Sequence, residues 1–260
     1  MSQDGTRRGG QLSSVRNAAR LLKAFSREHR ELGVTEAARR LGVGTSTAFR
    51  LLTTLTEERL LERGDARGTY RLGLAMYELG VTVFPNLGLH EAAMPALAAL
   101  RQSTGETVQL AVLDHLEVVF VERLESPQTL RFVARAGHRV PAHAASTGKV
   151  LLAHLAPDVL RERLRDWRPI ALTQYTIASR AALLVDLRRV AERGWAQNIE
   201  ESSLGAASVA APIRDEGGTV IAALSVVAPV SRCNAQALRR NRIAAVDAAN
   251  AISRRIGYRG

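Results

Sequence analysis

The stretch GTSTAFRLLTTL, Gly44 to Leu55, begins with three hydroxyl residues, Thr45, Ser46 and Thr47, followed closely by Phe49 and Arg50. Ala48, Leu51, Leu52 and Leu55 recur at the spacing of one buried helical face. The polar residues, with Thr53, are thereby left on the other faces and crowd the helix N-terminus. Small hydroxyls let a backbone come close to a partner and bond phosphates or base edges. Arg50 has the fork that fits guanine or a phosphate, and Phe49 suits a thymine methyl. This is the chemistry of DNA reading. An ordinary capped helix uses the same hydroxyls on its own free N–H groups, so the surrounding elements must decide.

Those elements favour DNA. Residues 14–60 read as helix throughout. Ser14 is placed to cap a first helix whose Val15, Ala18, Leu21, Leu22 and Phe25 form one apolar stripe. Thr35 is placed to cap a second, TEAARRL, with Glu36 at its positive end. The GVG at 42–44 is a tight connection into the quoted helix, which makes a helix-turn-helix. Residues 61–72 then read as a β-hairpin around GDARG, with Arg67 at its basic tip. In that motif the start of the second helix meets base edges in the major groove, and Arg67 flanks the backbone or minor groove.

The chain has 260 residues and one cysteine, Cys233, so an intrachain disulfide is excluded and a reducing compartment fits. Residues 1–13 lack the apolar core of a secretory signal and read as a disordered tail; no apolar run is long enough for a membrane span. The expected location is the cytoplasm. The formal net charge of +11 suits an anionic partner or simply an Arg-rich composition. Six of those surplus charges fall in residues 1–75 and five after, so charge does not locate the binding face.

The pattern changes near Pro85. Residues 14–73 are expected to form a winged helix-turn-helix domain, 74–85 a linker helix, and 86–260 a second domain. In the latter, MPALAALRQSTG reads as a helix ending at Gly105, TVQLAVLDHLEVVFVERL as two strands around Asp114–His115, and TLRFVARAG as a further strand. Helices follow around 147–155, 157–166 and 180–193, then two strands joined at DEGG and a basic helix over 235–256. Segregated hairpins and helices predict an α+β fold with an antiparallel sheet.

Catalytic motifs are missing. HAASTGKV has His143 where a phosphate loop needs Gly, and Val150 where it needs Ser or Thr. LGVGTST lacks the third glycine of a dinucleotide fingerprint. The six histidines show no paired metal spacing, and one cysteine builds no thiolate cluster. Ser208 lacks the setting of a nucleophile elbow. No enzyme activity, cofactor or metal is expected.

The segments SVRNAARLLKAFS, GVTEAARRLGVGTSTAFRLLTTL and YRLG resemble the winged helix-turn-helix of IclR-type bacterial transcription regulators. The resemblance continues through TGETVQLAVLD, HAASTGKVLLA, ERGWAQNIEESSLGAASVAAPI and ALSVVAPVSR, from Ser14 to Ile256. It implies that the polar helix start touches double-stranded operator DNA. It also implies that the second domain is GAF-like, binds a small-molecule effector and builds a homodimer or tetramer. By that resemblance Ser146, Thr147 and Gly148 open a helix that holds an anionic or carbonyl group, as helix N-termini do. The other pocket positions carried over are Asn198, where the family often has Asp, and Ser208, where it often has Cys. Ser225 keeps a hydroxyl position, whereas Val227 replaces the second. Positions two apart on a strand face one side, so the pocket is less acidic and more apolar. A larger, partly apolar organic acid is expected, with Phe132 as a candidate wall. A second domain that binds protein rather than metabolite, or an enzyme of GAF-like shape, are the alternative readings.

Overall fold

A computed structural model describes residues 12–26, 28–83, 87–131 and 137–260. Contacts group the chain into two units, Met1–Pro85 and Asn86–Gly260. The expected tail over 1–13 falls mostly outside the described residues.

In the first unit, helix α1 (Ser13–Lys23) leads to a two-residue strand β1 (Leu32–Gly33), helix α2 (Val34–Leu41) and helix α3 (Thr45–Glu57). Strands β2 (Leu61–Arg63) and β3 (Thr69–Leu72) form the hairpin, and helix α4 (Leu74–Val83) follows. The sheet order is β1-β3-β2. Gly42 takes the left-handed conformation, φ 69°, that ends α2 and turns the chain into α3. Leu21, Leu41, Ala48, Leu52, Leu61 and Tyr70 meet in one core beneath α3.

Several local expectations need correction. The run 14–60 is not helical throughout: β1 interrupts it and pairs Leu32 with Tyr70 and Gly33 with Thr69. Because that pairing keeps the chain extended to Gly33, α2 starts at Val34 with Gly33 as its cap residue, and Thr35 lies inside the first turn. Likewise α1 starts at Ser13 with Leu12 as its cap residue, so Ser14 caps nothing. Val15 is 61% exposed and leaves the apolar stripe, because it stands on the wall of an open groove between α1 and α3.

The second unit begins with helix α5 (Leu87–Thr104), which starts earlier than expected and carries Pro95 inside it. It ends at Gly105, φ 70°. Strands β4 (Thr107–Asp114) and β5 (Glu117–Leu124) pair across the Asp114–His115 turn. Of the strand expected over 129–137, the described residues 129–131 are not strand and 132–136 lie outside the described residues. The next strand is β6 (Arg139–Pro141), which pairs with β5. Helices α6 (Ser146–Ala153), α7 (Pro157–Arg163) and α8 (Arg180–Arg193) follow. Then come strands β7 (Ala196–Ile199), β8 (Ala206–Arg214) and β9 (Val220–Pro229), and helix α9 (Ala235–Arg255). All pairings are antiparallel, in the order β6-β5-β4-β9-β8-β7. The architecture is α+β.

Alternation along the strands sorts the second core into two layers. Val108 and Leu110, Val209 and Ala211, Leu224 and Val226 pack against α5 and α9. Ala111, Ala210 and Ala223 face the opposite way, against α6 and α8. Both faces of the sheet are therefore covered, which explains why the strands read as nearly continuous apolar runs. Among the described residues no helix is long and apolar enough to cross a membrane.

The core under α3 supports a direct prediction. Leu52 is fully buried, so Leu52→Ala should cost the first unit about 2–5 kcal/mol. Hydrogen exchange at the α2 and α3 amides measures it; unchanged protection there would mean that α3 is not held by this core.

Candidate functional site

Two surfaces carry the residues singled out by sequence, one in each unit. In the first, α3 starts after Gly44, whose extended backbone makes no side-chain cap. Thr45, Ser46, Thr47, Phe49 and Arg50 are all exposed, with Phe49 at 48%. The hydroxyls of Thr45, Ser46 and Thr47 make no hydrogen bond among the described residues, so they are not spent as caps. Thr53 differs, because its hydroxyl is buried and without a partner. Thr47 and Arg50 share the wall of a groove of about 410 Å³ with Ser13, Ser14 and Asn17 of α1. Sequence analysis took Ser14 only as a helix cap and passed over Ser13 and Asn17, since the groove depends on how α1 packs beside α3.

Arg67 is exposed at the hairpin tip. The tip is held by Glu31, a residue the sequence reading passed over. The Glu31 carboxylate accepts from the backbone N–H groups of Asp65 (2.8 Å) and Ala66 (3.3 Å) and from the Thr69 hydroxyl (2.6 Å). Those bonds, the Thr69 bond first, hold its pKa below the usual carboxylate value. The acid thus orders the loop that carries Arg67.

In the second unit, Ser146, Thr147, Asn198, Ser208, Ser225 and Val227 line one cavity of about 430 Å³, a size that suits a small organic ligand. Register explains their convergence. Asn198 pairs with Ser208 and Ser208 with Val227, one row across β7, β8 and β9. Ser225 pairs with Gln109, which pairs with Arg123, a second row on the same face. The start of α6 closes the cavity over them, with the Ser146 and Ser208 hydroxyls sharing a hydrogen bond at 2.7 Å. Gly148 is not on the wall. A Cβ there would meet the Ala142 carbonyl oxygen at 2.1 Å, so glycine serves the close packing of α6 on the preceding turn. Phe132 lies outside the described residues.

Sequence reasoning missed the cavity's two arginines. Arg123, Arg139 and His138 line it, and no Asp or Glu does among the described residues. Arg139 is held by Asp114 and Glu117 at the exposed rim. The Arg123 side chain is only 5% exposed, its Nε 4.0 Å from Glu125. Burial lowers its pKa, yet a guanidinium stays charged in proteins. Their register beside Gln109 and Val119 was the only signal, and it exists only once the strands are paired.

Asn198 turns out to be occupied by the protein. Its Nδ2 donates to the Ala144 carbonyl (2.8 Å) and to Ser202 Oγ (2.9 Å), while Oδ1 accepts from the Glu201 backbone N–H (2.8 Å). It joins the entry to α6 with the loop after β7. A second tie runs beside it: Lys149 Nζ donates to both Glu201 oxygens, at 2.7 and 3.0 Å, and lies 3.2 Å from Asp186. Burial pushes the Glu201 carboxyl up, and Lys149 opposes that. Lys149 and Glu201 position the wall; their signal in the sequence is a lone lysine in the otherwise apolar KVLLA.

The chain matches the IclR helix-turn-helix domain over residues 14–65 and the bacterial transcriptional regulator IclR C-terminal domain over residues 81–254. It belongs to the IclR family. It is 34% identical over 247 residues to the transcriptional regulator XynR of Escherichia coli K12, covering 95% of this chain and 98% of that one. It is 30% identical over 225 residues to the E. coli repressor IclR, covering 86% and 82%. Among solved structures, an IclR homolog from Microbacterium hydrocarbonoxydans complexed with 4-hydroxybenzoate matches with TM-score 0.80 at 32% identity, covering 94% of this chain and 99% of that one. IclR of Thermotoga maritima matches with TM-score 0.73 at 25% identity, covering 94% and 97%. The first unit is thus the DNA-binding helix-turn-helix of an IclR-type regulator, and the second carries that family's C-terminal domain.

A carboxylate at position 198 would face the Ala144 carbonyl in place of the amide that donates to it. Asn198→Asp should cost about 1–3 kcal/mol in urea unfolding at neutral pH. The deficit should shrink as the pH falls through the carboxyl range, where the protonated acid regains a donor. A pH-independent deficit, or none, would mean that the amide's donation to Ala144 is dispensable.

Proposed function

We propose that this chain is an operator-binding regulator whose affinity for DNA is set by an organic acid held in the 430 Å³ cavity. The observation that carries the reading is that cavity's chemistry. Its walls include Phe120, Val140, Leu172 and Val227, its polar groups are hydroxyls, amides and cations, and no carboxylate lines it among the described residues. An anion with an apolar body fits such a lining. The free N–H groups at the start of α6 supply further donors for it. The 4-hydroxybenzoate in the Microbacterium neighbour supports an aromatic acid as one member of the class.

On the DNA side, Thr45, Ser46, Thr47, Phe49 and Arg50 read base edges and phosphates, and Arg67 of the hairpin tip contacts the backbone. Helix α4 serves as the linker, and the chain acts as a homodimer or tetramer in the cytoplasm, reading a repeated site as helix-turn-helix dimers do. Ligand acts by population shift. It changes operator affinity only by as much as it binds one state better than the other.

Two experiments test this reading. Arg50→Ala should weaken operator binding by about 1–3 kcal/mol and relax base preference, whereas Arg67→Ala should weaken all sequences alike and lower the salt slope by about one. Gel-shift titration over a salt series measures both, and a folded Arg50→Ala protein with unchanged affinity removes Arg50 from the interface. Separately, a thermal-shift screen against aromatic and aliphatic acids should yield a ligand. At 100 times its dissociation constant it should add about 2.7 kcal/mol of stability and move the gel-shift midpoint. Binding without any change in DNA affinity would defeat the sensor role.

A further inference from the structure

Exposure divides the cavity lining into a deep part and a mouth. Ser146 and Thr147, at the start of α6, are 2% and 1% exposed. Among the described lining residues, the exposed ones are His138, Arg139, Leu172 and Ser203. Leu172, 41% exposed, is the one large apolar side chain of the four. It stands on an irregular strap, Ile170 to Thr176, in the connection between α7 and α8. We propose that Leu172 is the specificity-determining residue of this mouth. It selects acids whose apolar body reaches outward from the start of α6. This rests on the cavity being the effector site.

Three observations carry the assignment. The strap is tied at both ends to elements of the cavity. At one end the Ile170 carbonyl lies 3.1 Å from Nε2 of His143, on the turn that enters α6. At the other, the buried Thr176 hydroxyl donates to the Glu201 carbonyl at 2.6 Å. The same oxygen accepts from the N–H groups of Leu172 (3.0 Å) and Thr173 (2.9 Å). One hydroxyl thus holds the Leu172 backbone to the turn that carries Ser202 and Ser203, and Thr173 adds a bond to the Glu200 carbonyl. Second, the arginine at the mouth is already answered by the protein. Arg139 pairs with Asp114 and Glu117, so the ligand's carboxylate falls to the helix start within. Third, Phe120, Val140 and Val227 line the same cavity, and Leu172 carries that apolar lining out to solvent. A ligand body lying along it buries apolar surface on both partners, and the gain grows with the area removed from water. A short acid stops before Leu172 and gains nothing there.

Isothermal titration of the full chain with two matched pairs tests this: 4-propylbenzoate against benzoate, and hexanoate against propionate. In at least one pair the longer acid should bind about tenfold or more tightly. Leu172→Ala changes an exposed position outside both apolar cores of the second unit. It should weaken the longer acid about fivefold and leave the shorter within about twofold. Thr176→Val, which removes the positioning hydroxyl, should lower the same preference, and Thr176→Ser should retain it. Equal binding of short and long acids by the unaltered chain overturns the role of Leu172 and leaves the sensor reading standing. So does a Leu172→Ala protein that loses affinity for both acids alike, or for neither. A preference lost in Leu172→Ala but kept in Thr176→Val overturns the part given to Thr176. Failure of all four acids to bind at millimolar concentration, while another metabolite binds and shifts operator affinity, overturns the selection of acids alone. Failure of every acid in the wider screen overturns the effector reading and this inference with it.

Discussion

Everything about the cavity depends on where α6 begins, and a buried ammonium fixes that point. Lys149 sits one turn into the helix and is 2% exposed, yet it carries a charge that must be met inside the protein. Glu201 meets it from the loop after β7, and Asp186 from α8. Deleting one partner of such a cluster costs on the order of 3–5 kcal/mol, because the remaining charge stays buried. The constraint is therefore less a source of net stability than of position. With α6, α8 and the loop held to one another, Ser146 and Thr147 stand over the strands at a set depth. Gly148 gives the same constraint sterically, since its missing Cβ lets the helix touch the Ala142 carbonyl.

The loop from Glu200 to Gly205 shows how much ordering this takes. Glu200 accepts the left-handed conformation at φ 58°, which a side chain rarely adopts. The strain is offset by bonds on all sides. Its carboxylate accepts from the Gly205 N–H at 2.7 Å, and its carbonyl accepts from the Thr173 hydroxyl at 2.6 Å. Thr176 donates to the Glu201 carbonyl at 2.6 Å, and Asn198 caps the turn from within. Ser202 and Ser203 thus enter the cavity wall from a built turn rather than a loose one.

Residue types announced the reading helix and the hairpin because each is local. Apolar spacing in 45–55, the Gly42 turn and the GDARG tip are set by neighbours within a few residues. The α+β class and the antiparallel sheet were legible for the same reason, in alternating strands and helical stripes. Helix starts were not. Both Ser14 and Thr35 are good capping residues, but the pairing of Gly33 with Thr69, 36 residues away, decided where α2 begins. The candidate site divides similarly. The hydroxyls near 146, 208 and 225 were found through resemblance to a family motif. Arg123 lies outside every quoted segment, and Gln109 sits in TGETVQLAVLD without being marked by it; both reach the cavity only through strand register. Strand β7 escaped notice because it is only four residues long.

The proposed sensor role needs a wall that differs between states, and the bonding pattern distinguishes the walls. The sheet side is ladder-bonded and backed by a packed apolar core, so it behaves as a fixed floor. The opposite wall is hung on side chains: Asn198 to Ala144, Lys149 to Glu201, Thr173 and Thr176 to the carbonyls of the Glu200 turn. Side-chain ties of this kind have discrete alternatives, whereas a strand ladder moves as a block. Under the proposed sensor role, a ligand seated between the sheet and the start of α6 would bear on the adjustable wall from the fixed one. Its differential affinity, and hence the change it can impose on operator binding, is then limited to the bonds it strengthens across that gap.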